Sequence, residues 1–426
     1  MDTGSTAWVL VSATLVLLMT VPGLACFYGG MVRGKSVLNM MMMSFGSAGL
    51  VGVLWVLFGY SMAFEGDAGG IVGDPFKDLG LAHIMGAAQT FHGVPQIVFC
   101  AFEATFAIIT VAVVSGSVAD RTKFGTWLVF AALWVTLSYI PLCHMVWGGG
   151  LLSAHGAVAR ALATPLDFAG GSVVEIDAGM AGLVLALVTG RRRGFGREPM
   201  RPHSLPFVML GAGLLWIGWF GFNAGSAGGA NAQAGLAWVT TFVAAAASVL
   251  GWLVTERVRD GKATSLGAAS GLVAGLVAIT PAAGYVSPLG AILIGLVAGA
   301  VCSVAVGVKY RLGFDDSLDV AGVHLVGGLI GTLMVGLVGD PGAAAGGYLA
   351  GAKAGLLYGG GLTQLGTQAL LAVVAVIFAG VVTAVLGLVL RRTMGWRIEE
   401  SDEISGIDLA VHGETAYETV GTGRRR

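Results

Sequence analysis

The sequence predicts an all-α polytopic membrane protein with eleven transmembrane helices, and three observations carry this prediction. Charged residues make up only 11% of the 426 residues, against about 25% in an ordinary soluble domain. Apolar residues make up 56%, and the mean hydropathy is +0.84. The apolar residues fall in runs of about 20, the length that crosses a bilayer. A soluble fold could not cover its surface with so few charges, and the net charge of −1 argues against nucleic acid as a partner.

Glycine is abundant, with 70 residues, whereas proline contributes only 11. The glycines follow no three-residue period, which excludes collagen-like and low-complexity chains. In lipid, small residues let helix backbones approach closely. The composition therefore predicts a tight bundle around something narrow.

Eleven apolar runs are expected to cross the membrane. They cover residues 7–30, 37–64, 95–119, 124–147, 173–189, 205–227, 233–255, 264–280, 288–308, 318–337 and 366–390. No Lys or Arg precedes the first run, so we expect a permanent helix there rather than a cleaved signal peptide. Each of the four cysteines, at positions 26, 100, 143 and 302, lies in such a run and is expected to be a buried free thiol.

The basic residues predict the orientation. With the N-terminus outside and the C-terminus inside, the inside loops and the tail hold 20 of the 23 Lys and Arg. Only Lys77, Arg160 and Lys353 fall in outside loops. Cytoplasmic loops of membrane proteins carry this excess of positive charge, and one missed span would scramble it.

Two segments of the chain resemble each other. Asp167 stands eight residues before Glu175 at the start of the fifth run, and Asp316 stands eight residues before His324 at the start of the tenth. Eight residues of helix rise about 12 Å, so both titratable residues are expected near the middle of a core about 30 Å thick, reached from opposite faces. This predicts inverted halves of about 7–191 and 203–338 with a functional site between them. An eleventh helix at about 366–390 completes a transmembrane domain of 1–391, and 392–426 form a cytoplasmic tail.

Few ionisable residues lie within the predicted spans, and such residues usually face the interior of a bundle. The set comprises Glu103, Asp167, Glu175, Asp177, Asp319 and His324. Structural contacts between helices are the alternative to function for each of them. We favour function for the mirrored pair Glu175 and His324, and structural roles for Glu103 and Asp177.

Aromatic residues form a second set. Phe99, Phe102 and Phe106 share one face of the third span, and Trp219, Phe222 and Ser226 share one face of the sixth. Spacing alone favours ordinary packing for both sets. Trp147 ends the fourth span, where an interfacial tryptophan needs no function.

Five motifs change these expectations. They are GLACFYGGMVR (23–33), SYIPLCHMVWGGG (138–150), DFAGG (167–171), GWFGFNAGSA (218–227) and DVAGVH (319–324). Together, and in this order, they resemble the ammonium transporter family (Amt/Mep/Rh) in its bacterial Amt type, over about residues 7–417. The resemblance implies an eleven-helix bundle with an inverted five-helix repeat, in a homotrimer with one pore per subunit, in the cell membrane.

The resemblance also implies roles for individual residues. Trp147, Phe106 and Ser226 would form an outer ammonium site, Phe106 and Phe222 a stacked gate, and Phe102, Tyr139 and Trp219 the pore around it. Asp167 resembles an essential acid near the outer site, acting by orienting backbone or by its field. Cation–π attraction and a hydroxyl acceptor suit a small cation with four donors.

This sequence departs from the family at one pore position. Most members carry two histidines at mid-pore, whereas here Glu175 stands at the first position and His324 at the second, as in some fungal members. We expect the pair to titrate as a unit. Asp177 likewise replaces the usual Asn.

The tail resembles the family's regulatory C-terminus at Asp408, His412, Gly413 and Glu414; a solvated, unstructured tail is the alternative. The resemblance implies a PII-type nitrogen regulatory protein as a cytoplasmic partner.

No metal, cofactor or enzymatic motif is expected, which argues against a membrane-embedded enzyme. An ammonium sensor that signals through a partner with little transport is the competing function. The sequence leaves NH3, NH4+ and NH3 plus H+ open as the transported species.

Overall fold

The computed structural model describes residues 1–86, 90–91 and 93–417. The last residues of the predicted tail, including Arg424, Arg425 and Arg426, lie outside this range. Within it the chain forms a helical bundle in which ten helices are long and apolar enough to cross a membrane. The long helices are α1 (Thr3–Met31), α2 (Val37–Phe64), α3 (Gln96–Val118), α4 (Phe124–Val146), α5 (Gly171–Thr189), α6 (Leu205–Gly225), α7 (Ala232–Asp260), α9 (Pro288–Leu312), α10 (Ala321–Val338) and α11 (Thr363–Thr393).

A shorter apolar helix, α8 (Ser265–Ile279), has 15 residues and occupies the place of the eighth predicted span. All eleven predicted runs are therefore helical, while the number of membrane crossings and the orientation stay predictions. All four cysteines are free and buried, which confirms that prediction.

Smaller elements complete the chain. A hairpin of β1 (Thr90–Phe91) and β2 (Val94–Pro95) precedes α3. A five-residue helix, Ala157–Ala161, lies in the connection between α4 and α5. The tail forms α12 (Glu400–Ser405) and one further helical turn, Asp408–His412.

Local sequence fixes many of the helix ends. Ser204, Asn231, Thr264 and Ser287 each accept a backbone N–H of the following turn and begin α6, α7, α8 and α9. These residue types are preferred at this position because their short side chains satisfy N–H groups that have no partner within the helix. At the other end, α7 and α9 finish at glycines with positive φ, the conformation that glycine adopts without strain.

Close approach between helices depends on small residues. A Cβ placed on Gly295 or Gly299 of α9 would lie 2.1 Å from a backbone oxygen of α7. A Cβ on Gly179 of α5 would lie 2.2 Å from the backbone nitrogen of Leu325 in α10. Only glycine fits at these crossings, which confirms the tight bundle predicted from the composition.

Two extended segments run into the bundle directly before α5 and α10, and each pairs with the end of another helix. The segment before α5 bonds to residues after α8, and the segment before α10 bonds to residues at the end of α3. The bonds are Phe168 N to Pro281 O (3.1 Å), Ala169 N to Thr280 O (3.2 Å), Ser317 N to Ser117 O (3.2 Å) and Leu318 N to Gly116 O (3.1 Å). The same pattern thus occurs twice, at positions that the two resembling segments make equivalent.

Candidate functional site

Three aromatic side chains from three parts of the chain meet at one end of the bundle. The rings of Phe106 (α3) and Phe222 (α6) are stacked, with centroids 4.0 Å apart and planes 10° from parallel. The indole of Trp147, directly after α4, meets Phe106 edge-on at 6.2 Å and 81°. Both phenylalanines are buried and Trp147 is half-buried, so of the three rings only the indole is partly exposed.

Hydrogen bonds fix the polar atoms around these rings. The Nε1 of Trp147 donates to the main-chain oxygen of Asp167 at 3.0 Å. The hydroxyl of Ser226 donates to the main-chain oxygen of Phe222 at 2.8 Å. Because its proton is used within α6, the Ser226 oxygen can only accept from a further partner.

Asp167 is buried behind this group and lies four residues before the start of α5. Its carboxylate accepts the N–H groups of Gly170 at 2.9 Å and Ser172 at 2.8 Å, that of Gly171 and the hydroxyl of Ser172. Gly170 has a φ of +110°, which glycine alone adopts without strain. The acid therefore holds the backbone that carries Glu175, and its main-chain oxygen holds Trp147.

A narrow cavity lies directly behind Phe222. It is lined by Met19, Leu24, Phe27, Ile109, Val113, Val174, Glu175, Leu215, Trp219, Phe222, Val273 and His324. The Trp219 indole donates to Thr280 Oγ1 at 2.9 Å and so is satisfied by the protein. Glu175 and His324 are the ionisable residues of this lining.

Glu175 and His324, the two residues at mirrored positions in the sequence, are in contact. The Nδ1 of His324 lies 2.7 Å from Oε2 of Glu175, and the side chains are 6% and 1% exposed respectively. The pair sits where α5 and α10 cross through Gly179. The hydrogen bond uses Nδ1 and leaves Nε2 of the imidazole free of Glu175.

A second cavity continues from His324 towards Asp319. It shares Phe27, Val273 and His324 with the first cavity, and its lining also includes Tyr28, Met31, Ser270, Leu318, Asp319 and Val323. Asp319 has a φ of +64°, and its carboxylate pairs with Lys309 at 2.6 Å. His324 therefore stands at the junction of two cavities.

Two predicted pore residues line neither cavity. Phe102 packs against Phe106, with centroids 4.8 Å apart, and so supports the stacked pair. Tyr139 packs on Trp55, with centroids 6.4 Å apart, and its hydroxyl has no described partner. Their predicted roles stay predictions, with Phe102 beside the stacked pair and Tyr139 further back.

The two acids for which structural roles were favoured are both buried. Asp177 accepts the Ser138 hydroxyl at 2.8 Å, a contact between α5 and α4. Glu103 Oε2 has no described hydrogen-bond partner. Sequence reasoning missed the apolar lining residues Phe27 and Val273, because nothing in their spacing separates a cavity wall from ordinary packing.

Charged residues from three loops meet at the far end of the bundle, near Asp319. The buried guanidinium of Arg192 pairs with Asp315 at 2.9 Å and with Asp120 at 3.1 Å. Burial alone would raise the pKa of Asp315, but hydrogen bonds and charge from Arg192 and the charge of Arg121 outweigh it and lower that pKa.

The tail packs across this same end. The Asp408 carboxylate accepts the N–H groups of Leu38 at 3.0 Å and Asn39 at 2.8 Å, at the start of α2. His412 Nε2 lies 3.0 Å from Asn39 Oδ1, and its ring meets Phe124 edge-on at 5.3 Å. Gly413, with φ +70°, ends the turn, and Glu414 is exposed. Up to Tyr417 the tail is therefore ordered against the bundle.

Comparison with known proteins places this architecture. The description "Ammonium Transporter Family" matches residues 7–417. The chain is 55% identical over 433 residues to a Mycobacterium tuberculosis "Ammonium transporter", covering 98% of this chain and 91% of that protein.

Solved structures agree. Saccharomyces cerevisiae Mep2 superposes with a TM-score of 0.85 at 34% identity, covering 94% of this chain and 91% of that one. A structure described as "Sensor Amt Protein" superposes with a TM-score of 0.85 at 26% identity, covering 96% and 98%. The chain belongs to the ammonium transporter family.

Proposed function

We propose that this protein carries ammonium nitrogen across the cell membrane, by recruiting NH4+ at the Trp147 side, removing a proton near the gate, and passing NH3 through the apolar cavities. The observation that carries the proposal is the stacked pair Phe106 and Phe222, which separates a half-buried aromatic surface from an apolar cavity centred on Glu175 and His324.

Recruitment rests on the partly exposed indole of Trp147. A cation over an aromatic ring gains about 0.5–2 kcal/mol, more as water is removed. The Ser226 oxygen, whose proton is already donated to Phe222, supplies an acceptor for an ammonium N–H. Both features favour a small cation that has hydrogen-bond donors.

Selection rests on the cavity behind the gate. Nearly all of its lining is apolar, so an ion there loses its hydration without replacement, which costs several kcal/mol or more. Neutral ammonia avoids this cost. Potassium cannot release a proton, and the same step therefore rejects it.

The Glu175 and His324 pair is the proposed proton relay. A carboxylate and an imidazole 2.7 Å apart can share or exchange one proton. The position of His324 at the junction of both cavities gives that proton a continuing route towards Asp319. A Glu/His pair carries a different charge from two histidines, so it is proposed to shift pH dependence or selectivity.

The topology completes the proposal. With eleven spans and the N-terminus outside, the aromatic site (Phe106, Trp147 and Phe222) lies on the outer side. The ion pairs of Arg192 with Asp120 and Asp315, and the tail, lie on the inner side. The doubled bonding pattern before α5 and α10 supports halves related by inversion. We further propose a homotrimer in the cell membrane and a PII-type regulatory partner at the inner face, where Asp408 ties the tail to α2.

The second candidate function is an ammonium sensor with little transport. The structural similarity to "Sensor Amt Protein" supports this alternative. Purified protein in liposomes, with an imposed ammonium gradient and current recorded on a solid-supported membrane, separates the two. Transport predicts an ammonium-dependent current, or internal alkalinisation faster than in protein-free liposomes, and neither response with potassium. Ammonium-dependent thermal stabilisation without flux would favour the sensor. The pH dependence of the current distinguishes NH4+ from NH3 plus H+, and electroneutral flux indicates NH3.

A further inference from the structure

The stretch 163–170, directly before α5, is buried yet belongs to no helix or strand. Backbone N–H and C=O groups buried in such a stretch need partners from elsewhere. Several of them come from two glutamines of α11, Gln364 and Gln368, about 200 residues further along the chain. Both glutamine side chains are fully buried.

Gln368 bonds to both main-chain groups of Leu166. Its Oε1 accepts the Leu166 N–H at 2.9 Å and its Nε2 donates to the Leu166 oxygen at 2.7 Å. Nε2 also donates to the Thr332 oxygen of α10 at 3.2 Å. Two bonds to one residue fix its orientation as well as its position, as a neighbouring β-strand would.

Gln364 supports the same stretch. Its Nε2 donates to the Thr164 oxygen at 3.1 Å and to Oε1 of Gln368 at 3.2 Å. Its Oε1 accepts the Lys353 N–H at 2.8 Å. The two carboxamides therefore form one network that joins α11, α10 and the stretch before α5.

The residue after Leu166 is Asp167, which serves the site twice. Its main-chain oxygen accepts the Trp147 indole N–H, and its carboxylate begins the helix that carries Glu175. A shift of the Leu166 peptide is thus transmitted to the ring that the proposed recruitment uses. The path from Gln368 to Trp147 runs through the hydrogen bonds to Leu166, the peptide link to Asp167 and one further hydrogen bond.

The equivalent position in the second half is held differently. Asp315 precedes Asp316 as Leu166 precedes Asp167. Its main-chain oxygen accepts from Arg121 at 2.7 Å, and its carboxylate binds Arg192. Charged guanidinium groups therefore bind the backbone stretch before α10, whereas neutral carboxamides bind the stretch before α5 that contacts Trp147. A guanidinium beside Trp147 would repel a recruited cation, while a glutamine supplies directed hydrogen bonds without that charge.

We propose that Gln368, supported by Gln364, is a positioning residue of the aromatic site, which holds Asp167 and Trp147 in register without placing positive charge near them. The inference rests on the proposed function, because ammonium recruitment is its main readout. Neither glutamine touches the ammonium.

The test compares Gln368→Met, which preserves shape and removes the bonds, with Thr367→Val. Thr367 is also fully buried, but its hydroxyl bonds only within α11, to the Thr363 oxygen at 2.9 Å. In the full-length protein in liposomes, Gln368→Met should raise the half-saturating ammonium concentration roughly tenfold, the scale of losing a buried hydrogen bond. The maximal current should change much less, and Thr367→Val should leave both unchanged.

A lower melting temperature or maximal current with an unchanged half-saturating concentration would overturn the inference and leave a structural role. Should Gln368→Met not fold, Gln364→Met removes fewer bonds and should raise the half-saturating ammonium concentration by a smaller factor.

Hydrogen–deuterium exchange in 163–168 gives a readout independent of transport. Exchange should be faster in the Gln368→Met protein than in the Thr367→Val protein. Equal exchange would show that Gln368 does not hold this stretch. Absence of any ammonium response in the wild type would reject the proposed function instead.

Discussion

The imidazole Nδ1 of His324 and the carboxylate Oε2 of Glu175 lie 2.7 Å apart, although 149 residues separate them in the chain. Each lies on a helix whose first turn donates backbone N–H groups to a buried aspartate that precedes the helix, Asp167 for α5 and Asp316 for α10. The contact joins an acid and a base at the point where two cavities meet, which makes it the first place to test the proposed mechanism.

Replacing Glu175 by His should shift the pH profile of the ammonium-dependent current and change the discrimination between ammonium and potassium. The variant exchanges a carboxylate–imidazole pair for two imidazoles and so removes the negative charge available at mid-cavity. Currents recorded from about pH 5 to 8, the range in which His commonly titrates, measure the shift. Glu175→Gln is the control for shape without ionisation. An unchanged profile together with unchanged selectivity would show that the pair has no part in the relay.

Replacing Trp147 by Leu should raise the half-saturating ammonium concentration by about 2- to 30-fold, the equivalent of the 0.5–2 kcal/mol range of cation–π attraction. The ring is half-buried, so its removal changes ligand contact more than packing. Steady-state ammonium uptake gives the measurement. Trp238→Leu is the matched control, because Trp238 is 43% exposed and stacks on Phe220 instead, with centroids 4.4 Å apart. Equal effects of both variants would argue against recruitment at Trp147.

Asp167→Asn and Asp316→Asn form a matched pair. Each change replaces acceptor oxygens by an amide at a buried helix start, and each should lower the free energy of unfolding by about 1–3 kcal/mol. Thermal unfolding of the purified protein measures this. Only Asp167→Asn should also weaken ammonium recruitment. The Asp167 carboxylate fixes the local backbone through Gly170 and Ser172, and the main-chain oxygen of the same residue accepts the Trp147 indole N–H. A similar loss of apparent affinity in both variants would contradict a local role for Asp167.

Asp315→Asn should destabilise the protein by about 3 kcal/mol, because it leaves the buried Arg192 with one carboxylate in place of two. The pKa of Asp315 is lowered from the ordinary value of 3.8, so its stabilisation is complete above that value and is lost as the pH falls towards the folded-state pKa. The wild-type melting temperature should therefore approach that of the variant below about pH 4. A constant difference down to pH 3 would contradict the lowered pKa.

Asp408→Ala should release the tail from α2, since the carboxylate satisfies the N–H groups of Leu38 and Asn39. Loss of such a cap costs about 1 kcal/mol. Limited proteolysis of the tail should become faster, whereas Glu414→Ala, which alters an exposed side chain, should have no effect. Binding of a PII-type protein to the two variants then shows whether the docked tail is what such a partner recognises.

Much of this architecture could be predicted from the sequence because the signals are local. Apolar runs and the mirrored spacing of Asp167 to Glu175 and Asp316 to His324 depend on neighbours in the chain. The residue types of the aromatic site were recognisable only through the five motifs, because spacing alone could not separate Phe106 and Phe222 from ordinary packing.

The sequence by itself determined the helices, the predicted sidedness of the basic loops and the two titratable residues that face each other. Only the tertiary structure decided that Phe27 and Val273 are cavity walls, that Tyr139 lies back from the cavities, and that Gln368 holds Leu166. These relations join residues far apart in the chain, and they depend on how closely helices approach at crossings such as that of Gly179 with Leu325. Hydrophobic periodicity fixes which face of a helix is buried, but the shape of the opposing surface fixes what that face meets.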